Sequence, residues 1–233
     1  MAGQLPLGIA FRTYPSLVRF IAGRNAQALA AVRGCALGAG EPFLFLWGGC
    51  GDGKSHLLQG ACELAAGAGI PAAYIPLAQH GELAPAICAD LDELALVCLD
   101  DLEAVAGQKD WEEALFHLFN RLRERGRRLL AAARQPPAAL PLRLPDLRSR
   151  LASGLTLGLE PLEDGEKERL LMAGATQRGL RLSKETARYL LHHLPRDNHS
   201  LLRFLDTLDH ASLAEQRRPT LPFIRRLLAG GMT

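Results

Sequence analysis

Positions 48–55 read GGCGDGKS, and these eight residues restrict what the chain can become more than any other stretch. They fit the pattern G-x-x-x-x-G-K-[S/T]. Before them stands EPFLFLWGG (41–49), a short apolar run bounded by proline and glycine. Such a run suits a strand buried on both faces of a parallel sheet. After them, KSHLLQGACELAAGAG (54–69) reads as a helix with a glycine stop. A glycine-rich turn between a buried strand and a helix is the setting in which this pattern binds phosphate. Gly48, Gly51 and Gly53 allow the turn and close approach of the backbone. The amides of the loop (Gly48, Gly49, Cys50, Gly51, Asp52, Gly53) and of Ser55 and His56 lie at the positive end of the helix and form the candidate cradle. Lys54 is placed to neutralise β- and γ-phosphate oxygens, and Ser55 to hold Mg²⁺.

The rest of the chain builds a sheet around that turn. PAAYIPL reads as a short strand, ELAPAICADLD as a weak helix, and ELALVCLDDLEAV (93–105) holds a second buried strand. DWEEALFHLFNRLRERG (110–126) has apolar spacing near 3.6, with Asp110 as N-cap, Glu113 as its capping-box partner and Gly126 as C-cap. RRLLAAARQPP and GLTLGLEP (154–161) supply further strands. Upstream, SLVRFIAGRNAQALAAVRG (16–34) reads as a loop and a helix ended by Arg33-Gly34. Strands alternating with helices predict an α/β parallel sheet flanked by helices. After Pro161 the pattern changes to four helical stretches with no strand between them. The expected organisation is a tail at 1–10, an α/β domain at 11–161 and a small all-α domain at 162–233.

Composition narrows the function classes. The formal net charge is +2, so nothing global advertises a nucleic-acid surface. RLRERGRR (121–128) reads as a solvated helix face. No stretch reaches about eighteen uncharged apolar residues, so no transmembrane helix is expected. The N-terminus lacks the layout of a signal peptide. The five cysteines form no CxxC pair or Cys/His cluster and fit a reducing cytoplasm.

Two further groups carry candidate chemistry. LVCLDD (96–101) is an apolar strand ending in two acids. Beside a phosphate loop, Asp100 would hold Mg²⁺ through water, and Asp101 stands where a general base would polarise an attacking water. LPDLRSRLASG (144–154) carries Arg148, read as solvated, and Arg150.

The order of phosphate loop, Asp-Asp strand, SRL..G segment and helical lid resembles the AAA+ ATPases. Within them it resembles the nucleotide-binding core of DnaA, the bacterial replication initiator. FIAGRN (20–25) looks like the DnaA loop that lies against adenine, which carries Ile21 over as a nucleotide contact. GKSHLLQ is similar to the family's GKTHLLQ, and SRLASGLTLGLEPL to its SRF-x-x-G segment. The likeness covers about 16–230. DnaA continues into a helix-turn-helix domain, for which this chain leaves no room before Thr233. It therefore resembles the shortened Hda family, regulatory inactivators of DnaA.

That resemblance gives meaning to QLPLGI at positions 4–9. Leu5, Leu7 and Ile9 alternate, as an extended ligand requires, and Pro6 biases Leu5 toward an extended conformation. The Hda family has a clamp-binding peptide of the form QLxLxL, matched here by Gln4, Leu5, Leu7 and Ile9, with Ile in the last place. The implied partners are DnaA and the β subunit of the DNA polymerase III sliding clamp. DNA is met only indirectly, no membrane is involved, and a homodimer is left open. Arg150 becomes the arginine finger, given to ATP on DnaA to leave inactive ADP-DnaA. The alternatives are a stand-alone ATPase of the remodeller or helicase-loader kind and a pure clamp-tethered adaptor. Two departures from the family bear on this. Ala131, Ala132 and Ala133 leave Arg134 as the nearest polar group at the tip of their strand. His199 takes the place of a lid arginine, with Arg196 and Arg203 nearby. Both fit a chain that holds ADP or ATP as a structural ligand, with weak hydrolysis of its own.

Overall fold

Five parallel strands carry the phosphate loop: β1 (Phe43–Trp47), β2 (Ala72–Pro76), β3 (Leu96–Asp100), β4 (Arg128–Ala133) and β5 (Leu155–Gly158), in the order β2-β3-β4-β1-β5. This computed structural model describes residues 16–215, 217 and 219–229. Gln4, Leu5, Leu7 and Ile9 lie outside them. Apart from Asp100 at the end of β3 and Arg128 at the start of β4, the central strands are apolar because both faces are covered. Phe45, Val97, Leu99, Leu129 and Ala131 face α3 (Lys109–Glu124) and α4 (Pro145–Ala152). Their neighbours Leu44, Leu46, Leu96, Cys98, Leu130 and Ala132 face α1 (Ala26–Ala36) and α2 (Lys54–Gly67). Alternation of side chains along a strand thus serves two cores at once. Trp47 ends β1 directly before the phosphate loop and is 36% exposed.

After β5 come α5 (Asp164–Gln177), α6 (Lys184–His193), α7 (Asn198–Glu215) and α8 (Leu221–Ala229). They share a separate core built on Leu171, Leu190, Leu201, Phe204, Leu205 and Ile224. Among the described residues no helix is long and apolar enough to cross a membrane.

Several local expectations are corrected. Helix α1 passes through Gly34 and stops at Leu37, whose N–H still reaches Arg33 O; the left-handed turn is taken by Gly38, at φ 79°. The weak helix is two 3₁₀ turns, Pro85–Ala89 and Leu91–Glu93. They are held from α3, where Arg121 donates to Cys88 O at 2.6 Å and pairs with buried Asp92 at 2.8 Å. Helix α3 starts after Gln108, so Asp110 lies inside its first turn and Glu113 pairs with Lys109 at 3.7 Å. Arg148 is not simply solvated: its guanidinium donates to Leu142 O at 2.5 Å and ties α4 to the preceding loop.

Candidate functional site

The site lies at the carboxyl ends of the strands, where open α/β sheets place their ligands. The loop after β1 turns through Gly51 at φ 84° and Gly53 at φ 97°, a left-handed region that glycine enters without cost. At Gly53 a Cβ would also stand 2.7 Å from the Phe20 ring, so glycine is required twice over. Lys54 opens α2 and is only 6% exposed. Its ammonium donates to Gly48 O at 2.8 Å and Gly49 O at 2.7 Å. A buried ammonium needs such partners, and phosphate oxygens offer the same kind of acceptor with more charge.

A cavity of about 380 Å³ opens over this loop. Its floor is Cys50, Gly51, Gly53, Lys54, Ser55 and His56. Asp101 enters from the end of β3 and Arg134 from the end of β4. Helix α7 closes it with Asn198, His199 and Leu202. Asn198 donates to Gly51 O at 2.8 Å, latching the helical module onto the loop. The Asp197 carboxylate accepts the Ser200 N–H at 2.8 Å, which fixes the first turn of α7 and holds that carboxyl below its ordinary value.

Asp101 has φ 55°, alone among described non-glycine residues in adopting a positive value. Aspartate tolerates this conformation better than most side chains. Burial pushes its carboxyl up, and the neighbouring Asp100 and Glu103 carboxylates add to the effect. Lys54 and Arg134 pull the other way. Asp100 is fully buried; it accepts from the Tyr74 hydroxyl at 2.7 Å and the Asp101 N–H at 3.0 Å and does not line the cavity. Arg134 is tethered by Glu103, with Nε 3.1 Å from one carboxylate oxygen and its backbone N–H donating to the other.

The loop at 16–25 is pinned from two sides. His56 Nε2 lies 3.0 Å from Ser16 O. A carbonyl only accepts, which assigns the hydrogen to Nε2. Burial lowers the pKa of this ring. Asn25, 4% exposed, donates to Glu160 O at 2.9 Å and accepts from Glu160 N–H at 2.8 Å. The side-chain amide thereby pairs like a strand neighbour with the segment leading to α5. Ile21 is half-buried in this loop and is not part of the cavity wall.

Comparisons with known proteins place this geometry. The family described as "Hda, lid domain" matches residues 164–228, and "Bacterial DnaA ATPase domain" matches residues 82–159. An uncharacterized protein of Haemophilus influenzae is 40% identical over 98% of this chain and 99% of its own. The chain belongs to the Hda/DnaA-related AAA+ family. Within that family, domain III of the Thermotoga maritima replication initiation protein DnaA superposes with a TM-score of 0.80 at 21% identity, over 93% of this chain and 96% of that one. A replication initiator DnaA bound to AMPPCP and single-stranded DNA gives 0.71 at 22%, over 89% and 69%. These two likenesses speak to the fold.

As an Hda/DnaA-related AAA+ protein and replication regulator, the chain gathers Cys50, Gly51, Gly53, Lys54, Ser55, His56, Asp101 and His199 around one cavity. Gly48 and Gly49 hold the lysine, and Asp52 carries the turn between Gly51 and Gly53. Arg196 is drawn instead to Asp164 at 3.6 Å, and neither it nor Arg203 lines the cavity. Arg150, in the last turn of α4, stands apart from the cavity. Asn198 and Leu202 were not among the expected site residues. Their signal was His199 itself, since a helix starting there sends its first two turns to the same place.

Proposed function

We propose that this AAA+ chain holds an adenine nucleotide, ADP or ATP, and acts in the bacterial cytoplasm as a trans-acting partner of DnaA. The residues fit the nucleotide. A self-satisfied lysine, two left-handed glycines and a roof from α7 form a cavity with phosphate-seeking donors and no buried carboxylate on the loop itself. In this reading residues 11–161 bind the nucleotide and 162–233 form the lid. Ser55, on the cavity floor, would hold Mg²⁺, which supplies positive charge against the phosphates, and Asp100, buried behind the cavity wall, would reach it only through water. Lys54 exchanges two carbonyl acceptors for phosphate oxygens, and His199 and Asn198 exclude water from the loop side.

The observation that carries the reading is Arg150. It lies outside its own chain's cavity, and among the described residues its guanidinium has no ion pair or hydrogen bond. An arginine so placed is available to a nucleotide on another subunit. Gln4, Leu5, Leu7 and Ile9 would dock on the sliding clamp β subunit, with DNA threaded through the clamp, and raise the local concentration beside DnaA. An arginine finger supplied in trans is worth roughly 10³ to 10⁵ in rate. ATP hydrolysis by DnaA should therefore rise steeply when clamp, DNA and this protein are added together. Arg150→Ala should return it to the level without this protein while ADP binding persists. Full stimulation by that variant would refute the finger.

A second reading, an ATPase in its own right, is favoured by Asp101 at the cavity wall with a raised carboxyl. Hydrolysis by this protein alone, before DnaA is added, separates the two.

A further inference from the structure

Glu112 lies on α3, 1% exposed and in no ion pair among the described residues, and is used by nothing in the nucleotide cavity. Its carboxylate accepts three backbone N–H groups. Gly107 at 2.6 Å and Arg143 at 3.1 Å donate to Oε1, and Leu144 at 2.7 Å donates to Oε2. Bonds from N–H groups to a buried carboxylate are among the stronger kinds. Gly107 merely leads into α3, but Arg143 and Leu144 belong to the proline-rich loop that enters α4. Leu144 is the N-cap of that helix.

Helix α4 is eight residues long, too short to be stable alone. Its orientation is set by what holds it. Leu147 and Leu151 are buried in the core that also contains α3, and those apolar contacts resist lifting. Apolar contact is non-directional, so it fixes axial position and rotation only weakly. The directional restraints are the Arg148 bond to Leu142 O and the Glu112 bonds at the entrance. Arg150 projects from the other end of the same two turns.

We propose that Glu112 is the positioning residue for Arg150, setting the register of α4 from a neighbouring helix. The inference rests on the reading of Arg150 as the residue given to DnaA-bound ATP. Glu112→Gln keeps the shape but turns one acceptor oxygen into a donating amide, so at least one of the three N–H groups loses its partner. A displacement near 1 Å at a catalytic group lowers rate by about a hundredfold; a partial slip should lower it by at least about tenfold.

The test titrates the full-length protein, unmodified or carrying E112Q, R150A or both, against ATP-bound DnaA with clamp and DNA. ADP affinity is measured in parallel. E112Q should cut the maximal stimulated rate by tenfold or more. The concentration for half-maximal stimulation and the ADP affinity should stay as in the unmodified protein. The double variant should be no worse than R150A alone. A full maximal rate with E112Q, when R150A abolishes stimulation, overturns the positioning role and leaves the finger standing. A raised half-maximal concentration at full maximal rate also overturns it, because Glu112 then serves docking. Stimulation unaffected by R150A refutes the finger and this inference together. If E112Q loses ADP binding, E112D decides by the same numbers, since it keeps the charge and shortens the reach. Loss of ADP binding in both variants reduces Glu112 to a folding residue and overturns the proposal.

Discussion

Asn25→Ala is the substitution whose cost can be worked out most directly. Asn25 is buried and joined to Glu160 by two bonds of 2.9 and 2.8 Å, across a separation of 135 residues. Removing the amide leaves the Glu160 carbonyl and N–H without their partners. Each buried group left unsatisfied costs roughly 1–3 kcal/mol. Taken at the low end, because Glu160 itself is partly exposed, the pair amounts to about 2–4 kcal/mol. For a chain of this length about 1 kcal/mol moves the melting temperature by roughly 2–4 °C, so a fall of roughly 5–15 °C is expected. The same bridge pins the loop at 16–25 to the segment that becomes α5, so ADP affinity should fall as well. Thermal melting followed by circular dichroism, with and without ADP, gives both numbers. A shift below about 2 °C would mean that water replaces the amide at no cost, and the argument from burial would be wrong.

Lys54→Ala should abolish the rise in melting temperature that ADP produces, a stabilisation of about 2.7 kcal/mol at a ligand concentration one hundred times Kd; an undiminished ADP effect would show that phosphate is held elsewhere. His56 should make the fold acid-sensitive. Its folded pKa lies below the ordinary value near 6.5, so the unfolded chain takes up the proton first and the stability from this group, full above that value, is lost as pH falls through the folded pKa. His56→Gln should flatten the stability profile below pH 6.5 relative to the unmodified protein, and parallel profiles would refute the assignment. Replacing Gln4 and Leu7 together by alanine should abolish clamp binding in a pull-down and leave ADP affinity and melting temperature unchanged; a lowered melting temperature would show that QLPLGI packs on its own domain.

The sheet was readable in the sequence because a strand buried on both faces must be apolar along its buried length, and FLFLW, LVCL and LLAAA are. The phosphate loop was readable because its requirements are local. What escaped depends on distant pairing. Nothing near Asn25 announces Glu160, and the latch from Asn198 to Gly51 spans 147 residues. Asp110 resembled a helix cap because Asp-Trp-Glu-Glu looks like a helix start, but α3 already begins at Lys109. Glu112 left a trace that was legible: with Leu115, Phe119 and Leu122 it falls on the buried stripe of an amphipathic helix, and an acid there needs donors from another segment.

The position of Trp47 has an optical consequence. The chain holds two tryptophans. Trp111 is 4% exposed in the core beneath α3, whereas Trp47 is 36% exposed and peptide-bonded to the first glycine of the phosphate loop. A dissolved quencher collides with the second indole and not with the first. The quenchable share of the intrinsic fluorescence therefore belongs to one ring, joined directly to the glycines of the phosphate loop. The molecule carries its own dye, already attached at the site where filling and emptying can be watched without a label.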